Sequence, residues 1–142
     1  MITIMRGAQG FGKSHYIKNN LPEETIVCSA DHFFMKNGDY LFDPKQISKA
    51  HEECLKKYTL LVASNYSGHI AVDNTNIRLW EISPYVNLAT AFGLDYKIVE
   101  IVANPTIAAA RNIHGVPEKT VIQAYKNLEE PLPWWNYELY QN

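Results

Sequence analysis

Arg6-Gly7-Ala8-Gln9-Gly10-Phe11-Gly12-Lys13-Ser14 decides the reading of this chain, because residues 7 to 14 fit the phosphate-binding pattern G-x-x-x-x-G-K-[ST] at every fixed position. Three glycines let the backbone turn tightly and aim successive amide N–H groups at one point, where the N-terminus of the following helix adds positive potential. An anion fits there. Lys13 can reach β- and γ-phosphate oxygens as a compact charge, and the Ser14 hydroxyl is placed to ligate Mg²⁺. Met1-Ile2-Thr3-Ile4-Met5 upstream is a short apolar, β-prone run, and His15-Tyr16-Ile17-Lys18 downstream continues a helix. Strand, loop and helix in that order are what a P-loop requires. The expected nucleotide-binding residues are therefore Gly7, Ala8, Gln9, Gly10, Phe11, Gly12, Lys13 and Ser14.

With 142 residues, 46% of them hydrophobic, the chain is long enough for one domain with one core, and residues 1–142 are read as a single domain. A net charge of −2 gives no global basic footprint, which argues against tight non-specific nucleic-acid binding and leaves room for a local basic groove. Cys28 and Cys54 have neither a CxxC partner nor a neighbouring histidine cluster, so both read as buried free thiols. No signal-like segment precedes the loop, and no apolar run approaches the ~18 residues of a membrane span. The expectation is a cytoplasmic protein with no membrane partner.

Beyond the loop, Thr25–Cys28, His69–Asp73 and Tyr96–Val102 read as three further strands. Asp31 stands just past the end of the first of them and Asp73 closes the second, with Asn74-Thr75-Asn76 opening the next loop. Met35 to Phe42, around Asn37-Gly38-Asp39, is turn-rich and aromatic, either a substrate-facing loop or a hairpin. Asp43-Pro44-Lys45-Gln46 starts a long helix whose apolar stripe runs through Ile47, His51, Cys54, Leu55, Tyr58, Leu61 and Val62. Tyr85, Leu88, Ala89 and Phe92 mark another helix closed by Gly93, with Pro84 acceptable only in a first turn. Pro105 to Asn112 is alanine-rich and helical, His114-Gly115-Val116 breaks it, and Pro117 restarts a helix to about Leu128, giving a helix–break–helix lid over about 105–117. The tail, residues 131–142, carries Trp134, Trp135, Tyr137 and Tyr140 and reads as an extended segment packed on the body, or else as a protein-partner site. Strands alternating with helices imply an α/β fold: a three-layer P-loop NTPase sandwich with a central, mainly parallel sheet and a helical lid.

Phosphoryl transfer needs a phosphate cradle, a metal, a means of orienting the acceptor hydroxyl, and positive charge on the moving group. Asp31 and Asp73 stand at strand C-termini flanking the first strand, on the edge where open α/β sheets bind ligands; one reads as base and the other as a metal or water-shell ligand. Ser14 with Asp73 is the expected metal pair. Arg111 is the leading candidate for the positive charge because it directly precedes the break at Asn112-Ile113-His114-Gly115. Arg78 and Arg6 are weaker candidates, and for Arg6, which adjoins the first strand, the alternative reading is simple pairing with an acid. No Asn-Lys-x-Asp element for guanine is present, which favours ATP.

Several motifs in order carry a family resemblance: Met5-Arg6-Gly7 with the P-loop, Ser29-Ala30-Asp31-His32-Phe33-Phe34, Ala50-His51-Glu52, Val72-Asp73-Asn74-Thr75-Asn76, Trp80-Glu81 with Pro84-Tyr85, and Ala110-Arg111-Asn112-Ile113-His114-Gly115-Val116-Pro117. Over about residues 4 to 128 the chain resembles the polynucleotide-kinase-type P-loop ATPases, nearest the short ATPase domain of ubiquitin-ligase-binding proteins and more distantly the phage 5′-kinase domain. The resemblance implies Asp31 as general base on the acceptor hydroxyl, Asp73 as the acid near metal and phosphates, and Arg111 as the lid arginine. It also implies ATP and Mg²⁺ as cofactors, and a hydroxyl acceptor such as a DNA or RNA 5′ end or a nucleoside-like group. One departure is Phe34, where the phage motif carries an arginine that grips the nucleic-acid phosphate. The other readings are a nucleotide-switched ATPase or binding module, and a small-metabolite kinase.

Overall fold

The structure, a computed structural model, describes residues 1–111 and 115–142; Asn112, Ile113 and His114, part of the expected break, lie outside the described residues. In chain order come β1 (Ile2–Arg6), α1 (Lys13–Asn20), β2 (Ile26–Cys28), a 3-10 turn (Ala30–Phe34), β3 (Met35–Lys36) and β4 (Asp39–Tyr40). A second 3-10 turn (Pro44–Gln46), α2 (Ile47–Ala63), β5 (Ile70–Asp73) and α3 (Leu79–Ala91) follow. The chain finishes with β6 (Tyr96–Val102), α4 (Pro105–Arg111), α5 (Glu118–Lys126) and β7 (Tyr137–Gln141).

The main sheet has the order β2-β5-β1-β6-β7, and every pairing in it is parallel. β1 is therefore central, with Ile4 in register with Val72 on one side and Ile98 on the other, so β5 flanks it as expected while β2, which leads to Asp31, lies one strand further out. Alternation along β1 sends its side chains to two separate cores. Ile2 and Ile4 pack with Ala50, Cys54, Tyr58 and Val62 of α2 and with Ile82, Val86 and Ala89 of α3. Met5 packs on the opposite face with Tyr16 and Ile17 of α1, Ala108 of α4 and Val121 of α5. Burying side chains of this size contributes about 1.5–3 kcal/mol each, and both faces of β1 draw on it. This is why the inner strands read as mainly apolar runs.

Each helix shows its local cause. Asp43 caps the 3-10 turn ahead of α2, its Oδ1 accepting from the Lys45 amide at 3.0 Å, so the expected helix start is correct with one tighter turn before it. α2 buries Ala50, Cys54, Tyr58 and Val62, an i, i+4 ridge, while His51 stays half-buried beside it. α3 corrects the placement of Pro84. The helix begins at Leu79, with Glu81 accepting from the Arg78 amide at 2.8 Å, so Pro84 falls past the first turn. The hydrogen bond it forgoes belongs to the carbonyl of Trp80, a residue that is 74% exposed, and the Ser83 hydroxyl meanwhile bonds the Leu79 carbonyl at 2.7 Å.

The tail is an extended segment packed on the body, and it joins the sheet as a further strand. β7 pairs along β6 from Ile98–Tyr137 to Val102–Gln141, Trp135 is buried in the α2–α3 core, and Trp134 is left exposed. Met35 to Phe42 includes a hairpin, β3 against β4. Cys28 and Cys54 are free and buried, and burial pushes the Cys28 thiol up to about 12. No helix among the described residues is long and apolar enough to cross a membrane.

Candidate active site

At the C-terminal end of β1 the chain passes from Arg6 into the glycine-rich loop. Gly7 adopts φ +150°, and a side chain there would press on the Ile101 carbonyl of β6, 3.2 Å from the position of a Cβ. Gly12, at φ 105°, is the N-cap of α1 in a left-handed conformation, and no side chain caps that helix. Its first-turn amides are thus open to an anion. Lys13 lies back along the loop, its Nζ donating to the carbonyls of Gly7 at 2.8 Å and Ala8 at 3.1 Å. Burial lowers the Lys13 pKa, and the carboxylates of Asp73 and Asp31 both act against that shift.

β5 supplies the second wall. Asp73 ends the strand, and its Oδ2 accepts from the Ser14 hydroxyl at 2.8 Å, which joins the two residues expected at the metal. The next residues are braced from several directions. Asn74 is buried; its Oδ1 accepts from the Ala30 amide at 2.9 Å and its Nδ2 reaches the Cys54 thiol at 3.4 Å, tying the end of β5 to the corner that carries Asp31. Asn76, at φ 50°, donates to the Met5 carbonyl at 2.8 Å, and the Gly7 amide donates to the Thr75 carbonyl at 3.0 Å. Asparagine tolerates this left-handed turn better than most residues.

Arg6 does not face the phosphate loop, which corrects its place among the candidate cations. Its side chain is wholly buried, and it donates to the Asn76 carbonyl (2.7 Å), the Ile77 carbonyl (2.6 Å) and the Tyr137 hydroxyl (2.8 Å). Tyr137 in turn bonds Glu100, whose carboxylate stands 4.0 Å from Arg6, so the expected pairing with an acid runs mainly through a phenol. Arg6→Met keeps the side-chain length and strips two buried carbonyls and the part-buried Tyr137 hydroxyl of their donor. It is expected to cost about 3 kcal/mol of stability, read from urea midpoints, and a loss below about 0.5 kcal/mol would contradict the brace.

Asp31 sits in the 3-10 turn after β2, partly buried, its amide held by the Ser29 hydroxyl at 3.2 Å. Tyr40 donates to Asp31 Oδ1 at 3.0 Å. Arg111, exposed at the end of α4, donates through Nε to the Gly10 carbonyl at 3.0 Å, so its guanidinium already rests on the loop. Arg78 is exposed at the N-cap of α3. Sequence reasoning missed Asn74, Asn76 and Tyr40 as organisers of the site; the Asn-Thr-Asn run directly after Asp73 was the available signal for the first two.

The loop fits a triphosphate on its own evidence. Gln9 Oε1 is buried with no hydrogen-bond partner, and the same amide turned over would offer an N–H to an anion. The Ser14 hydroxyl and Asp73 carboxylate are hard oxygen donors. No cluster of three or more His, Cys, Asp or Glu able to hold a metal exists among the described residues. Two protein oxygens suit Mg²⁺, which takes its remaining ligands from phosphates and water.

The family described as AAA domain matches residues 2–121. The chain belongs to that family. Human NEDD4-binding protein 2 is 30% identical over 138 residues, and the match covers 91% of this AAA domain chain but only 8% of the human protein. Among solved structures, the Pnkp1/Rnl/Hen1 RNA repair complex is similar with a TM-score of 0.69 at 18% identity, covering 89% of this chain and 43% of that one. A gluconokinase from Sinorhizobium meliloti 1021 is similar with a TM-score of 0.63 at 15% identity, covering 98% and 81%. At these identities the two structures establish a shared P-loop kinase-like fold for this AAA domain, an α/β three-layer arrangement around a parallel sheet, as the sequence predicts.

Proposed function

We propose that this AAA domain is an ATP-dependent kinase that moves a γ-phosphoryl group to a hydroxyl, and that residues 1–142 act as one domain in the cytoplasm. The observation that carries the proposal is the meeting of the loop with two acids: Ser14 bonds Asp73 at 2.8 Å, and Asn74, the next residue, holds the turn that carries Asp31 through the Ala30 amide at 2.9 Å. A plain phosphate site needs no second acid. A transferase needs one to receive the acceptor's proton.

In this reading Gly7 to Gly12 and Lys13 hold the phosphates, and Ser14 with Asp73 holds Mg²⁺. Bound MgATP supplies the phosphoryl group and the charge neutralisation across the β- and γ-oxygens. Asp31 takes the proton from the acceptor hydroxyl. Arg111, carried by a lid of α4 and α5, moves its fork from the Gly10 carbonyl to the transferring group.

A polynucleotide 5′-hydroxyl, or a nucleoside-like one, is the favoured acceptor, supported by the motif resemblance and by the shared fold with the RNA repair complex. Phe34 is buried in the core and is not available to stack on a base. The gluconokinase likeness supports the second reading, a small-metabolite acceptor. A binding-module role for the aromatic tail draws less support, because Trp135 is spent in the core and Tyr137 on Arg6 and Glu100. Incubating the protein with γ-labelled ATP, Mg²⁺ and a panel of 5′-hydroxyl DNA, RNA, nucleosides and sugar acids tests the proposal. Label is expected on a nucleic-acid or nucleoside acceptor; release of free phosphate alone would leave an ATPase.

A further inference from the structure

We propose that Tyr40 is the positioning residue of the acceptor side: its phenol holds the Asp31 carboxylate in the orientation from which it takes the proton of the incoming hydroxyl. The inference rests on the kinase reading above. The terminal torsion of an aspartate is broad, so its carboxylate samples many orientations unless a fixed donor selects one. Tyr40 is such a donor, 3.0 Å from Oδ1.

The donor is itself held. Asn37 at φ 53° and Gly38 at φ 86° form the two-residue left-handed turn that joins β3 to β4, and the Leu41 amide closes onto the Phe34 carbonyl at 2.8 Å. The Tyr40 ring stacks on Phe42, centroids 6.3 Å apart and planes within 9°, and meets the buried ring of Phe34 edge-on at 6.1 Å. Tyr40 is thus a spoke fixed by two rings, with its hydroxyl end on the base. Burial and the adjacent Asp31 carboxylate push the phenol up to about 12, so it keeps its proton at every pH used for kinase assays. In the transfer itself the acceptor oxygen bonds to the γ-phosphorus as its proton passes to Asp31. The bond from that phosphorus to the β–γ bridging oxygen breaks, and ADP leaves with the electron pair. Tyr40 neither gains nor loses a proton.

Tyr40→Phe keeps the ring and its stacking and deletes only the hydroxyl. Transfer kinetics with ATP and acceptor varied separately should be measured in the wild type, Tyr40→Phe, Asp31→Asn and the double variant. Tyr40→Phe is expected to lower kcat about 10- to 10²-fold, with acceptor KM, ATP affinity and melting temperature unchanged. In the Asp31→Asn background the same change is expected to cost less than about twofold, because its effect runs through the carboxylate. An equal loss in both backgrounds, a rise in acceptor KM alone, or wild-type kcat in Tyr40→Phe would each overturn the inference while leaving the kinase reading standing. If the wild type labels no acceptor, both fall together.

Discussion

Asp31→Asn is expected to slow phosphoryl transfer about 10²- to 10⁴-fold while leaving ATP affinity nearly intact. The substitution is close to isosteric, and an amide oxygen can still accept the Tyr40 bond that now ends on Oδ1. What disappears is a group able to take a proton. Because Asp31 is carried by the turn after β2, outside the glycine loop, the phosphate cradle should be undisturbed. Single-turnover transfer alongside calorimetric ATP binding separates the two effects. Transfer at the wild-type rate would remove Asp31 from the base role and leave the acid at the end of β5 as the remaining candidate.

Arg111→Ala is expected to cost more, about 10³- to 10⁵-fold in the chemical step, the range found for arginine fingers. Its Nε already bonds the Gly10 carbonyl across a separation of 101 residues, so the guanidinium reaches the loop through the fold rather than through local sequence. Lysine at this position is expected to rescue little, since a point charge lacks the planar fork that grips two oxygens at once. Rapid-quench measurement of one turnover reads the chemical step directly. A loss below about tenfold would mark Arg111 as a surface arginine, whose contacts are worth little.

The parts of this molecule that were legible in the sequence are those whose signal is local. The loop could be read because glycine, lysine and serine are required at fixed spacing, and β1, β5 and β6 because burial leaves them mainly apolar and β-branched. β7 was not counted as a strand, since as an edge it carries no buried apolar run: Tyr137 turns inward to Arg6, yet Leu139, two residues on and on the same face, stays 65% exposed. Arg6 was ranked among the phosphate cations because sequence carries no depth. Only the fold shows its guanidinium spent on carbonyls 70 and 71 residues away. Asn74 and Asn76 act in the same way, through side-chain bonds to backbone groups 44 and 71 residues distant. Pro84 was misplaced because propensity puts proline in a first turn, whereas the tertiary packing of Ile82, Val86 and Ala89 extends α3 beyond it. The hairpin was half legible: Asn37-Gly38 announces the turn, but nothing local says that Tyr40 ends on Asp31.

A crystal structure with Mg²⁺ and a non-hydrolysable ATP analogue tests the central claim most directly. The account predicts β- and γ-phosphates against the Gly7–Ser14 backbone, Lys13 moved from the Gly7 and Ala8 carbonyls to a phosphate oxygen, the metal on Ser14 and Asp73, and the Asp31 carboxylate facing the γ-phosphate. An analogue bound elsewhere, or an Asp31 directed away from that phosphate, would contradict it.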